Sequence, residues 1–528
     1  MKMKIQLKLR SMNFLIKTCA PVLKNWRNSN NATSNDPVLV TTVRIARESS
    51  HKSILITLTC IFLSSGVSAA PSAKELPQSL ASILAEQGIP INTLSLVVQE
   101  VNANEPIVAV NTRTLRQPAS LAKLFTTFIA LDYLGPGYQW HTEIFASDSI
   151  LDGSTRYLLF KGSGDPYLTK ENLWFIVNEL QNLGLESIED GLYVDQSYFE
   201  ANQSNSGDFD NDPLRPYNLM PSALLANFNM VDFTLVPNSA TGSVDISFNT
   251  LPTSVIFDNQ MKLGKGHCPN FMDSVAFNET QSNKVVTISV EGYFPEDCPK
   301  IEHELSLTNT NHYFHSIFSD FWHLSGGEFH GYIAEQEKKK NLEKPLLVYK
   351  SPPLTEIIRR TNKESNNFMS RQIFLTLGNH QQNKVATLEQ SRMVVRSTLD
   401  KYGIDFEDQF IDNGSGLSRQ NLVRAETLSQ LLMKIYQHPL RAEFVSSLPI
   451  SGIDGTIKKR FKKFPLKERM HLKTGTIDGV QGLAGYVQGL SGKEYIVVFM
   501  HNDFSEFTYK TKPFQDAFLT WVVQDHKW

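Results

Sequence analysis

Ser120-Leu121-Ala122-Lys123 follows a Pro118-Ala119 step and runs into an apolar stretch, Leu124 to Leu134. A serine that opens a helix, with a lysine three positions on, puts a hydroxyl and an amine on one helical face within reach of each other. That pairing suits a serine nucleophile whose proton passes to a neutral lysine. Serine and lysine are common, and Ser49-Ser50-His51-Lys52 has the same form. The reading therefore depends on what else the chain places around Ser120.

The N-terminus must be separated first. Residues 1–69 carry ten Lys or Arg and two acids, Asp36 and Glu48. A short apolar core, Ile54 to Leu63, then leads to Ser64-Ser65-Gly66-Val67-Ser68-Ala69-Ala70. Basic flank, apolar core and small residues read as a secretory signal cut after Ala69, and the core is short for a membrane span of about 20 residues. An uncleaved anchor is the other reading. Removing this segment takes the formal charge from −3 to −11, and an acidic mature chain argues against nucleic acid as a partner. Cys268 and Cys298 are the two cysteines left in the exported part, which suggests one disulfide, two buried thiols being the other reading. The thirteen histidines are scattered and neither HExxH nor CxxC occurs, so no metal site is expected.

At 528 residues the chain is long enough for several domains. Residues 70–137 read as a helix, a hairpin of Leu94-Val98 and Ile107-Val110, and the Ser120 helix, which Gly135-Pro136-Gly137 stops. Residues 138–350 read as β-rich, with pieces such as Tyr157-Phe160, Phe233-Val236 and Val285-Ile288. After Ser351-Pro352-Pro353, residues 351–528 return to helices (Leu354 to Arg360, Phe368 to Leu377, Leu388 to Tyr402, Ala425 to Tyr436), then a hairpin around Ser491-Gly492 and a final helix, Phe514 to Val523. The economical architecture is α/β (α+β): one domain built from both ends, an antiparallel sheet flanked by helices, interrupted by a β-rich insert.

Two further motifs accompany Ser120. Ser365-Asn366-Asn367 follows a helix, and Lys473-Thr474-Gly475-Thr476 lies beside a strand-like stretch. S-x-x-K, S-x-N and K-T-G in this order are the set of penicillin-binding proteins and class A β-lactamases. Ser29-Asn30-Asn31 repeats the second form alone, but the three together in order are specific. In this reading Ser120 attacks a carbonyl and Lys123 takes its proton. Ser365 relays a proton to the leaving amine, and Asn367 bonds both Lys123 and a substrate amide. Lys473, Thr474 and Thr476 meet a terminal carboxylate. Gly475 lets the strand backbone come close. The N–H groups of Ser120 and Thr476 form an oxyanion hole.

From about Leu76 onward the chain resembles the class C low-molecular-mass penicillin-binding proteins, the peptidase S13 family of D-alanyl-D-alanine carboxypeptidase/endopeptidases of the DacB type. Beyond the three motifs the resemblance rests on Gly162-Ser163-Gly164-Asp165-Pro166, Val194-Asp195-Gln196-Ser197-Tyr198-Phe199, Pro216-Tyr217-Asn218 with Ser222-Ala223-Leu224, Asp412 to Ser418, and Ser451 to Thr456. Ser163 departs from a glycine-only run. The separation of 245 positions from Ser120 to Ser365 matches the family's inserted domains. The resemblance implies a transpeptidase-like fold with hydrolysis of peptidoglycan D-Ala-D-Ala ends and cross-links through an acyl-enzyme. It also implies inhibition by β-lactams, no cofactor, and a periplasmic location with at most loose membrane association. Asp165, in its tight turn, is expected on the approach to the site as an acid for a substrate's side-chain amine; the other reading is a carboxylate bonded to its own backbone. Two alternative functions share the motifs. A β-lactamase is one, although the Glu-x-x-Leu-Asn segment of class A enzymes is missing. The other is a non-catalytic cell-wall or β-lactam sensor.

Overall fold

The two ends of the sequence meet in one antiparallel sheet. Strands Met470–Ile477, Val480–Gln488, Glu494–Asn502, Leu94–Glu100 and Val108–Val110 lie side by side in that order. The computed structural model describes residues 43–45, 56–58, 75–150, 152–201, 204–266, 268–282, 285–333, 344–379, 385–504 and 511–527. The chain divides into two compact units, Met1–Ser72 and Ala73–Trp528. In the first, Val43–Ile45 pairs antiparallel with Ile56–Leu58; the expected cleavage point after Ala69 and the rest of the expected signal lie outside the described residues.

Period-two alternation explains why Glu494–Asn502 is apolar on both faces. Ile496, Val498 and Met500 enter a core with Leu121, Phe125, Ile358, Phe374 and Leu431. Tyr495, Val497 and Phe499 enter a second core on the opposite face, with Leu80, Phe514, Phe518 and Val522. Helices therefore cover both faces. The helix Ala122–Leu134 is the innermost of them, with Lys123, Thr126 and Thr127 buried beside its apolar residues. Helices Leu354–Lys363, Asn367–Asn379, Leu388–Lys401 and Ala425–Tyr436 pack around it.

Between the two halves, one mixed sheet runs Glu328–Phe329, Ser187–Asp195, Ser154–Gly162, His141–Ala146, Leu347–Lys350, with Tyr332–Ile333 also on Ser187–Asp195. A second sheet of seven strands is built on Met230–Asn238, Ser243–Thr250 and Val285–Pro295. Cys268 and Cys298 are disulfide-bonded, with Cα atoms 5.3 Å apart. The middle of the chain also holds two helices that the strand-rich reading omits, Lys170–Asn182 and Thr310–Leu324. The signal for the first was present: Leu173, Ile176, Val177 and Leu180 recur at helical spacing and are buried, behind a Thr169 side-chain cap. The second is rich in aromatic residues of modest helix propensity; Tyr313, Phe314, Ile317, Phe318 and Trp322 form it by packing against the sheets.

Candidate active site

Ser120 sits in a single 3-10 turn, Ala119–Leu121, that leads directly into the buried helix. Ala119 before it holds a left-handed φ of 47°, a conformation a residue with a Cβ adopts only when its surroundings impose it. The imposing contacts are visible. The Gln117 side chain accepts from the Ala119 N–H, and Gly416 lies so close that a Cβ there would stand 1.9 Å from the Ala119 carbonyl oxygen.

Lys123 lies one turn on, fully buried. Its Nζ is 3.0 Å from Ser120 Oγ, 2.6 Å from Asn367 Oδ1 and 2.5 Å from the Ser415 carbonyl oxygen. Among the described residues no carboxylate pairs with it. Burial first, then the charges of Lys473 and Arg371, hold its ammonium well below the usual lysine range. A neutral amine has two N–H groups and one lone pair. Asn367 Oδ1, the Ser415 carbonyl and Ser120 Oγ can each accept an N–H from Lys123. It is burial and the neighbouring cations that favour the neutral amine, whose lone pair can then take the Ser120 proton.

Ser365 and Lys473 form the opposite wall. Ser365 has a left-handed φ of 58° in the turn between two helices. Lys473 Nζ donates to Ser365 Oγ at 2.7 Å and to the Thr474 carbonyl at 2.8 Å. Burial pushes the Lys473 ammonium down to about 7. The sequence placed this lysine beside a strand; it lies within one, Met470–Ile477. A buried lysine interrupts the apolar pattern that marks strands, which is why the segment reads poorly. At Gly475 an added Cβ would be 2.8 Å from the Pro118 carbonyl and 3.0 Å from the Ser120 nitrogen, so only glycine lets this strand lie against the nucleophile's backbone. Thr474 Oγ1 is 2.8 Å from Thr456 Oγ1; Thr476 is exposed.

The structure thus brings Ser120, Lys123, Ser365, Asn367, Lys473, Thr474 and Gly475 together, with Thr476 next along the strand. Asp165 has different neighbours. Its carboxylate is buried, Oδ1 accepts from the Tyr167 N–H at 2.8 Å, Oδ2 has no hydrogen-bond partner, and burial pushes the acid up to about 7.

Two contributions were not read from the sequence. Asp412 to Ser418 supplies the Ser415 carbonyl to Lys123, and its Gly414 carbonyl accepts from Thr126 and Ser370 at 2.7 and 2.9 Å. Ser451 to Thr456 braces the Ser365 turn. Asp454 Oδ2 accepts from Lys363 Nζ at 2.6 Å while Oδ1 accepts from the Ile450 N–H. Both stretches carry the family resemblance, but their composition, small-residue loops rich in Gly, Asp and Ser, does not say which backbone or side-chain group they supply.

Residues 76–522 match the D-Ala-D-Ala carboxypeptidase 3 (S13) family. The chain is 26% identical over 418 residues to the D-alanyl-D-alanine carboxypeptidase DacB of Haemophilus influenzae, covering 78% of this chain and 86% of that protein. The fold is similar to the crystal structure of penicillin binding protein 4 (dacB) from Haemophilus influenzae, at a TM-score of 0.72 and 24% identity over 85% of this chain and 99% of the other. The same protein complexed with a β-lactam matches at a TM-score of 0.69, with the same identity and coverage.

Proposed function

The chain belongs to the D-Ala-D-Ala carboxypeptidase 3 (S13) family and is a serine D-alanyl-D-alanine carboxypeptidase, and on that premise we propose how its own residues carry the reaction. Ser120 Oγ attacks the carbonyl of the penultimate D-alanine of a peptidoglycan stem peptide as its proton moves to the Lys123 amine. The N–H groups of Ser120 and Thr476 hold the developing oxyanion. Ser365, bonded to Lys473, passes a proton to the leaving amine. The terminal D-alanine departs, and water then resolves the Ser120 ester. Asn367 keeps Lys123 in line. Lys473 and the Thr474 and Thr476 hydroxyls receive the terminal carboxylate.

The observation that carries this reading is the Lys123 environment: a fully buried amine 3.0 Å from Ser120 Oγ, with neutral acceptors and a second cation near it. A β-lactam presents a strained amide beside a carboxylate and acylates the same serine. Cleavage of D-alanyl cross-links uses the same chemistry with a longer leaving group, so endopeptidase action is part of the proposal, as is a periplasmic location. Asp165 is the candidate partner for a side-chain amine of the stem peptide, because Oδ2 is a buried acceptor without a donor.

Peptide mapping after fluorescent-penicillin labelling should place a lasting adduct on Ser120, and mass spectrometry of muropeptide digests should show loss of D-alanine. An adduct elsewhere removes the assignment. Fast release of hydrolysed penicillin would make the protein a β-lactamase, and labelling without any muropeptide product would make it a sensor.

A further inference from the structure

The insert meets Asn367 and Arg371 chiefly through the main-chain carbonyls of one turn and the segment after it. Residues Pro216–Asn218 form a single 3-10 turn. On its own side, Asp210 anchors this turn: Oδ1 accepts from Asn218 Nδ2 and Oδ2 from the Tyr217 hydroxyl, each at 2.7 Å. On the other side, three side chains of helix Asn367–Asn379 hold the segment that follows. Asn367 Nδ2 donates to the Tyr217 carbonyl at 3.2 Å. Arg371 Nη1 donates to the carbonyls of Asn218 and Leu219 at 3.2 and 2.8 Å. Gln372 pairs with both the N–H and the carbonyl of Ser222, at 3.1 and 2.8 Å. Asn367 and Arg371 share a helix face by their spacing of four.

The first of these bonds bears on the reaction. An asparagine amide can turn over, exchanging its oxygen and nitrogen. The Tyr217 carbonyl takes the Nδ2 donor, which leaves Oδ1 facing Lys123 Nζ at 2.6 Å. Turned over, the amide would set a donor against the amine's own N–H groups and the oxygen against a carbonyl. Arg371 pins the next two carbonyls and so fixes where the Tyr217 oxygen points. Its presence is not explained by stability. The guanidinium is almost wholly buried, Nε has no partner, its bonds go to carbonyls rather than a carboxylate, and burial lowers it to about 10. An apolar side chain of similar volume would avoid that desolvation.

We propose that Arg371 is a positioning residue for acyl transfer, which clamps the insert's 217–219 main chain so that the Tyr217 carbonyl holds the Asn367 amide in the orientation Lys123 requires. The guanidinium charge also favours the neutral form of Lys123, behind burial and Lys473. The inference rests on the Ser120–Lys123 reading above.

The test compares Arg371→Met, Arg371→Lys and wild type in the full chain. Labelling stoichiometry counts competent sites, and single-turnover kinetics with fluorescent penicillin give the acylation rate per competent site. Wild type labelled at Ser120 is the control for the underlying reading; if it fails, that reading fails rather than this one. Arg371→Met should slow per-site acylation by about 10- to 100-fold, the size of effect expected from a small misplacement of a catalytic group. For a D-Ala-D-Ala peptide the loss should fall in kcat with KM changed little. Arg371→Lys, which can still donate to both carbonyls, should recover most of the rate. A merely structural role would lower the labelled fraction and leave the per-site rate alone. A per-site rate equal to wild type in Arg371→Met, or equal slowing in the Met and Lys variants, overturns the proposal. Should Arg371→Met fail to fold, Arg371→Gln takes its place, because it keeps a donor for one carbonyl but loses the charge and the second bond.

Discussion

The segments that surround Ser120 and the β-rich middle bury different things. Among the described residues, the charged side chains buried in the terminal halves are all cations: Arg116, Lys123, Lys363, Arg371 and Lys473. In residues 138–350 the one buried charged residue is an acid, Asp165, and the core is apolar and aromatic, with Phe233, Phe294, Phe314, Phe318 and Trp322 at its centre. Burying a cation without a counter-ion opposes folding, whereas burying a phenylalanine favours it. Lys363 is paired with Asp454, but Lys123, Arg371 and Lys473 are bonded to neutral acceptors. That is an arrangement that stability alone would not select, and the Lys473 charge is the one proposed to meet an anionic substrate end. The middle of the chain is ordinary packing, apart from Asp165 and the turn that touches Asn367.

The contrast implies that activity and stability respond oppositely in the two regions. Lys123→Met should give the largest effect: acylation by penicillin falls about 10³-fold or more, as expected for loss of a general base, while the melting temperature holds or rises because a desolvated amine is gone. A melting temperature that drops sharply by calorimetry would show that Lys123 is part of the scaffold. Phe314→Ala in the middle region should do the reverse. It should cost about 3–5 kcal/mol of stability in urea unfolding, with the per-site acylation rate near normal below the transition. A large loss of per-site rate would mean that the two regions are not separable.

Lys473→Ala sharpens the comparison within the catalytic half. It should lower kcat/KM for D-Ala-D-Ala peptides by a factor equivalent to about 2–4 kcal/mol, and change much less for a C-terminally amidated analogue, which carries no charge. Parallel losses would reassign Lys473 to the fold or to Lys123. The same group predicts a pH effect. With its ammonium held down to about 7 in the empty site, Lys473 loses its proton as pH rises above that value. KM for the acid peptide should therefore climb toward about tenfold per pH unit, and KM for the amide should stay flat. In the other direction acylation should fall with acidity as Lys123 takes up a proton, since its ammonium lies well below the usual range.

The smallest expected effect concerns Asp165, whose acid stands at about 7 because it is buried. Asp165→Asn should weaken peptides that bear a side-chain amine by about tenfold and spare peptides without one. Equal kcat/KM for both substrates would leave Asp165 with its bond to the Tyr167 N–H as its whole role.

Ser120, Lys123, Ser365, Asn367 and Lys473 could be read from the chain because each meets its neighbours through its own side chain, and side-chain type at fixed spacing is what a sequence records. Helix and strand periodicity placed both ends in one α/β domain for the same reason: the apolar spacing in Ala425–Tyr436 or Tyr495 to Met500 is local. The close approach of Gly475 could be read too, because glycine is itself a side-chain signal. What the sequence could not supply are the carbonyl contacts. The Ser415 carbonyl on Lys123 and the Tyr217 carbonyl on Asn367 involve peptide groups that every residue carries, brought together across 292 and 150 positions of chain. Arg371 shows the same division. As a sequence letter it is one more cation in a helix; only the folded chain buries it against carbonyls of the insert.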